Sequence, residues 1–331
     1  MHRSKALCLA AATAAGALLS LAPVAAQAQG AGNWPDKPVR LVLPYPPGGN
    51  VDGAARIISD QLQAQFKQPF LVDNKPGAGG LIAGEYVAKA APDGYTFFMT
   101  ANGPLLFSPT IFKRDAYEWR RDFVPVSSVS FTPLVLQVSP STPYKTIGEL
   151  IDAGKKPGNK LTMASPGAGT QNHLVSEYLQ RESGAHWVTV HYKGNAPATT
   201  DLLGGQVDFN FDQVSVAQPF IQQGRTRPLA VTSPQRLPQL PDVPTLQESG
   251  FKDFSTETFT GLMAPKGTPD AIVQKLSQAL QKILADKAVQ ERFNVLGSQA
   301  RAMTPAEFTQ FLDKEDKRWI PIIKQANITA Q

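Results

Sequence analysis

"VRLVLPYPPGGNVDGAARII", residues 39–58, changes character twice. An apolar run ends at Leu43, prolines and glycines interrupt it, and Val51, Ala55, Ile58 and Leu62 then recur at helical spacing. Strand, glycine turn, amphipathic helix is the elementary unit of an α/β fold with parallel strands. "KLTMASPGAGTQNHLVSEYL", residues 160–179, repeats the pattern past the middle of the chain, with Leu174, Tyr178 and Leu179 on the helix.

Further strands are expected at Phe70–Asp73, Tyr95–Thr100, Leu134–Val138, Val188–His191, Val207–Phe211 and Leu229–Thr232, with a last apolar stretch at Thr256–Ala264. Two late helices carry clear start signals. Thr268-Pro269-Asp270 reads as cap, N1 proline and first-turn acid. Thr304-Pro305-Ala306-Glu307 reads as a capping box. The proline-dense segment 233–251 reads as an ordered irregular connection. The whole is two α/β domains joined by crossing segments.

The first 28 residues read as a secretory signal rather than as part of the fold. His2, Arg3 and Lys5 make a basic start, an Ala/Leu-rich stretch follows, and Ala26-Gln27-Ala28 fits the small-x-small cleavage pattern. The only cysteine, Cys8, lies inside this segment. The mature chain then has no thiol for a disulfide, a metal site or a nucleophile. Losing Arg3 and Lys5 leaves 30 basic residues against 27 acidic ones. They are scattered, without the basic stripe of a nucleic-acid binder.

In parallel α/β sheets ligands lie beyond the carboxyl ends of strands, where loops lead into helices. The first turn of each helix has N–H groups without intrahelical partners, and its dipole adds positive potential. Glycines before it let a ligand reach the main chain. Pro46-Pro47-Gly48-Gly49-Asn50, with Asn50 as cap, and Pro166-Gly167-Ala168-Gly169-Thr170, with Thr170 as cap, both fit an anion site. Each alone reads first as an ordinary strand-to-helix connector; the pair suggests a carboxylate gripped from two sides. Asp52 is expected to turn sideways and pair with Arg56. The third glycine turn, 76–80, reads as close packing of its helix.

The chain resembles the extracytoplasmic solute receptors of the tripartite tricarboxylate transporter type, the Bug or TctC-like family. The resemblance rests on "WPDKPVRLVLPYPPGGNVDGAAR", "VDNKPGAGGLIAGEYVAKAAPDGYTF" and "SPGAGTQNHL". It continues through "VHYKGNAPATTDLLGGQVDFNFD", "RPLAVTSPQRLPQLPDVPTLQESGF" and "GLMAPKGTPDAIVQKL". It implies a type II-like, Venus-flytrap periplasmic binding protein, each domain a mostly parallel sheet flanked by helices. Residues 33–132 with 255–331 would form one domain, 133–254 the other, and the ligand cleft would lie between them. The implied protein is a periplasmic monomer that captures a small carboxylate, without cofactor or metal, and delivers it to membrane transporter subunits.

Carried onto this sequence, the resemblance places Tyr45, Pro47, Gly48 and Gly49 on one jaw. Ser165, Gly169, Thr170 and His173 fall on the other, with Asn102 and Asp212 at further strand ends. His173 reads equally as a helix-start brace. Two stretches depart from the expected pattern, "AYEWRRDFVPV" (116–126) and "TANGPLLF" (100–107), and bear on ligand choice. An exported hydrolase is the rival class, but the chain has no Gly-x-Ser-x-Gly elbow and no His-Glu-x-x-His. A sensing subunit that docks on a membrane kinase would share the fold and the site, so it stays open.

Overall fold

The computed structural model describes residues 32–252, 254–325 and 327–329; the expected signal segment lies outside them. The first half runs β1 (Val39–Leu43), α1 (Asn50–Phe66), β2 (Phe70–Asn74), α2 (Leu81–Ala88) and β3 (Thr96–Ala101). Two short helices follow, α3 (Ser108–Ile111) and α4 (Trp119–Asp122), and then the long strand β4 (Phe123–Val138). The second half contains α5 (Ile147–Lys155), β5 (Thr162–Ser165), α6 (Gln171–Ser183), β6 (Val188–His191) and α7 (Asn195–Leu203). It is completed by β7 (Phe209–Gln213), α8 (Val214–Gln222) and β8 (Arg227–Val231). The chain then returns through β9 (Glu257–Pro265) to α9 (Asp270–Ala285), α10 (Lys287–Val295), β10 (Gln299–Ala300) and α11 (Pro305–Gln325).

Each half has a parallel block, β2-β1-β3 in one and β6-β5-β7 in the other. Antiparallel strands join the blocks, in the order β3-β9-β4-β7. The fold is a mixed α/β sheet flanked by helices. β1 is buried on both faces, as a central parallel strand must be. Val39, Leu41 and Leu43 belong to the same core cluster as Ile58 of α1 and Leu280 of α9, while Val42 belongs to a second cluster with Leu81 and Phe308. Burying one such aliphatic side chain stabilises the fold by roughly 1.5–3 kcal/mol.

β4 belongs to both halves. It pairs with β9 from Phe123 to Pro133 and with β7 from Leu134 to Val138. Only the second part was expected from sequence. The first part hides because its alternation fails: Ser127, Ser128 and Ser130 are fully buried, and the pairing shifts register twice between Pro125 and Ser130. At the crossing, Thr232 ties three segments together. Its N–H donates to Leu134 O (2.9 Å) and its hydroxyl to Thr256 O (2.7 Å). The same residue accepts from Leu134 N (2.8 Å) and from Thr256 N (3.0 Å).

Two expected caps differ. Gly49, not Asn50, occupies the cap position of α1, and Asn50 is its first helical residue. The Thr268 hydroxyl donates back to Pro265 O (2.8 Å), so α9 starts after Pro269 without a side-chain cap. The capping box of α11 forms as expected: Glu307 N donates to Thr304 Oγ1 (3.3 Å) and Thr304 N to Glu307 Oε2 (2.8 Å).

Candidate functional site

The starts of α1 and α6 line one small cavity between the halves, with about 20 Å³ open to the centre of a water molecule. Tyr45, Gly49, Asn50, Val51, Ala101 and Gly103 form its wall on the first half. Pro166, Thr170, Gln171, Asn172, Asn195 and Gln213 form the facing wall, and Thr258 of β9 closes the edge. No charged side chain is among them.

On the first wall, β1 ends in a turn whose Gly48 N–H donates to Asp52 Oδ2 (3.1 Å). Asp52 also accepts from Arg56 (2.9 and 3.2 Å) and from Asn74 Nδ2 (3.2 Å), which in turn donates to Tyr45 O (2.8 Å). Burial alone would raise the Asp52 pKa, but the bonds from Arg56, Gly48 and Asn74 outweigh it and the net shift is downward. The carboxylate is thus a brace for the turn and does not line the cavity. The N–H groups of Asn50 and Val51 have no partner among the described residues. These are the donors that the helix start leaves over.

On the second wall, the cap forms as expected, with Thr170 Oγ1 accepting from His173 N (3.3 Å). Thr170 and Ser165 both donate through their hydroxyls to Gly167 O (2.8 and 2.9 Å). Gly169 N–H donates to His173 Nδ1 (3.3 Å). The N–H groups of Gln171 and Asn172 are left without partners among the described residues.

Side-chain amides complete the ring. Asn50 Oδ1 accepts from Thr132 (3.1 Å) and Ser215 (2.8 Å), leaving its Nδ2 buried and unpartnered. Gln171 donates to Thr256 Oγ1 (2.9 Å), leaving its Oε1 buried and unpartnered. These partners are hydroxyls, which accept as readily as they donate, so either end of each amide can face inward. A buried amide group without a partner costs about 1–3 kcal/mol, and a ligand in the cavity would recover it.

Glycines let the walls approach so closely. A Cβ on Gly49 would sit 2.9 Å from Asn195 Oδ1, and one on Gly103 2.5 Å from Gly169 O. A larger residue at Gly103 meets backbone and holds the halves apart, whereas one at Gly49 has to displace the Asn195 side chain.

Asp212 sits behind this wall. Its carboxylate accepts from Asn195 Nδ2 (2.5 Å), Gln213 N (2.9 Å), Thr199 Oγ1 (3.1 Å) and Asn210 Nδ2 (3.4 Å). Burial pushes its pKa up to about 7 despite those bonds. A proton shared at that pH weakens a fixed negative charge that would otherwise oppose an anion next door. Burial, and then the neighbouring His173, push His191 down to about 4, so its ring is neutral near pH 7.

Of the ten residues expected from sequence, the cavity brings together Tyr45, Gly49 and Thr170. Pro47 is exposed, and Gly48 lines a groove on the other side of the turn with Thr199 and Ser215. Asn102 lies beneath the cavity, its Oδ1 accepting from Phe259 N (2.9 Å), while its neighbours Ala101 and Gly103 reach the lining. Ser165, Gly169, His173 and Asp212 tie the second wall together and do not line the cavity. Sequence reasoning took Asn50 only as a cap and Val51 only as part of the helix's apolar face, and passed over Gln171, Asn172, Asn195, Gln213 and Thr258. The missed signal is positional. Glycines clear the space, but the free N–H groups belong to the residues just after them.

Residues 54–328 match the model of the tripartite tricarboxylate transporter family receptor. BugT of Bordetella pertussis is 34% identical over 311 residues, covering 94% of this chain and 95% of that protein. The solved structure of R. palustris Rpa4515 with adipate aligns at a TM-score of 0.87 and 31% identity, covering 89% of this chain and 99% of that one. MatC from Rhodopseudomonas palustris with bound malate aligns at 0.82 and 31% identity, covering 88% and 100%.

Proposed function

This chain belongs to the tripartite tricarboxylate transporter receptor family, and on that premise we propose that it is a periplasmic, non-enzymatic receptor that captures a small carboxylate and delivers it to membrane transporter subunits. One observation carries the reading: two helix starts, each with free N–H groups, and two unpartnered buried amides line one cavity that has no charged wall. Such a site suits a carboxylate, whose lone pairs accept from neutral donors. Charge-assisted bonds contribute roughly 1.5–3 kcal/mol each. A few of them supply the ~8 kcal/mol of micromolar binding.

The proposed contacts are the main-chain N–H groups of Asn50, Val51, Gln171 and Asn172, with the side chains of Tyr45, Asn50, Thr170, Gln171 and Asn195. Asp212, His173 and Ser165 hold these groups in place. The two domains divide at β4 near Thr132–Leu134 and at the return into β9, so that ligand capture and release occur by movement about these crossings.

A thermal-shift screen of mono- and dicarboxylates, amino acids, sugars and cations tests the reading. Carboxylates should raise Tm with concentration as RT ln(1 + [L]/Kd) requires. Stabilisation by sugars or cations alone would sink it.

A further inference from the structure

The second half ends, away from the cavity, in a basic pole. α6 starts at the cavity, and its 13 residues carry the chain about 20 Å from it. β5 and β6 run back in parallel, β5 ending just before Pro166 of the lining, so the first residues of both strands lie at the same far end. The end of α5 is joined to them. Gly154 O accepts from His186 N (2.9 Å) and from Asn159 Nδ2 (2.8 Å), and Leu161 O accepts from Val188 N (2.9 Å). Residues 152–160 and 181–188, separate in sequence, thus share one surface.

Four cations stand on it. Lys155, Lys156, Lys160 and Arg181 are exposed, and among the described residues none of them has a carboxylate at ion-pair distance. Only Asp152 and Glu182 oppose them within these stretches. Lys155 and Arg181 each occupy the last turn of a helix, where they offset its dipole. Lys156 and Lys160 lie beyond the last residue of α5, on either side of the exposed Pro157-Gly158, and the dipole does not account for them. The first half treats its cations differently: Arg120 of α4 is held by Asp313 and Asp316 of α11. Beside the unpaired lysines, Val188 is 63% exposed.

This composition suits a diffuse negative surface better than a shaped partner. Lysine is a mobile point charge and lacks the planar fork with which arginine pairs one carboxylate at a time. Exposed Pro157 and Val188 add apolar groups among the cations, the combination that settles into the headgroup layer of an anionic bilayer.

We propose that this pole is a membrane-docking surface, which holds the protein on anionic phospholipid headgroups through Lys155, Lys156, Lys160 and Arg181. Each Lys or Arg close to such a surface is worth about fivefold in binding. Contact of this kind is reversible and screened by salt. It keeps the cavity about 20 Å from the lipid, open to ligand. The inference does not depend on which ligand the cavity takes.

Co-sedimentation of the processed protein with vesicles tests it, using phosphatidylglycerol and phosphatidylcholine in equal parts against phosphatidylcholine alone. The protein should pellet with the anionic vesicles in about 20 mM salt, stay in solution with the neutral ones, and come off in about 0.5 M salt. Lys156→Gln/Lys160→Gln should weaken vesicle binding about twentyfold and leave the melting temperature unchanged, because both side chains are exposed. Lys314→Gln/Lys317→Gln removes the same charge from exposed positions on α11 and should leave vesicle binding within about twofold. No binding to anionic vesicles, equal binding to neutral ones, no loss in Lys156→Gln/Lys160→Gln, or an equal loss in the two double variants overturns the proposal. So does capture on immobilised poly-glutamate without binding to vesicles, which would assign the pole to an acidic protein partner. None of these outcomes bears on the carboxylate screen, which tests the receptor reading separately.

Discussion

The two turns that face each other across the cavity present the same donors but are braced by opposite chemistry. The first is held by an ionised carboxylate: Asp52 grips Gly48 N–H, Arg56 and Asn74 at once, near the exposed apex of the loop. The second is held without a carboxylate on the turn, by the hydroxyls of Ser165 and Thr170 and the ring of His173, all buried. Behind that wall Asp212 is shifted up, whereas Asp52 is shifted down. An anion site tolerates a negative charge nearby in two ways. The charge is either neutralised by a partner cation or discharged by a proton.

The largest effect should come from blocking the approach of the two walls. Gly49 has an extended backbone (φ −93°), so Gly49→Val strains nothing locally, yet its side chain must displace Asn195. Carboxylate binding by calorimetry should fall at least about a hundredfold, with the melting temperature of the free protein within a few degrees of the original. Unchanged affinity would show that the turns are connectors only.

Next come the two unpartnered amides, one per wall. Asn50→Ala and Gln171→Ala should each weaken binding by about tenfold or more, the worth of one charge-assisted bond. Loss confined to one of the two would mean that a single wall holds the anion and the other merely covers it.

Smaller differences separate the braces themselves. Thr170→Ala removes a helix cap and should cost about 1 kcal/mol of stability, read as a lowered denaturation midpoint in urea. Asp52→Asn leaves a mostly exposed Arg56 behind and should cost less at neutral pH, with a deficit that shrinks as salt rises.

The pH profile distinguishes the two carboxylates most directly. Asp52 has a folded pKa below its unfolded value, so its contribution is present above about pH 4 and is lost as pH falls through the folded pKa. Asp212 is the reverse. Its folded pKa of about 7 lies above the unfolded 3.8, so the folded state binds the proton more tightly and stability declines as pH rises from about 4 to 7. Asp212→Asn should flatten that decline in melting temperature while leaving the acid-side loss in place. A variant whose profile matches the parent across this range would show that Asp212 does not titrate there.

Much of this was legible in the sequence, for reasons that particular residues make clear. β1 and β6 were read to the residue, since each is a short β-branched run closed by turn residues. The second glycine turn, 166–170, and its Thr170 cap were equally plain, because cap and helix lie within a few positions of each other. The first part of β4 was not, because buried serines and bulges erase its period. Asn195, Gln213 and Thr258 escaped for a different reason. Each reaches the cavity only through the crossing of distant segments, and nothing local distinguishes it from an ordinary polar residue. Asn102 and Asp212 were singled out for their strand-end positions, but position alone does not say which way a side chain turns.

Thr232 gives the last consequence. Four hydrogen bonds tie the three crossing segments to this one residue, which water does not reach. A sliding or splaying of one half over the other would tear that knot. Rotation about it would not. If the halves move as proposed for ligand capture, this knot restricts them to a single swing, like a door on one pin, and a partner would need to sense only one angle.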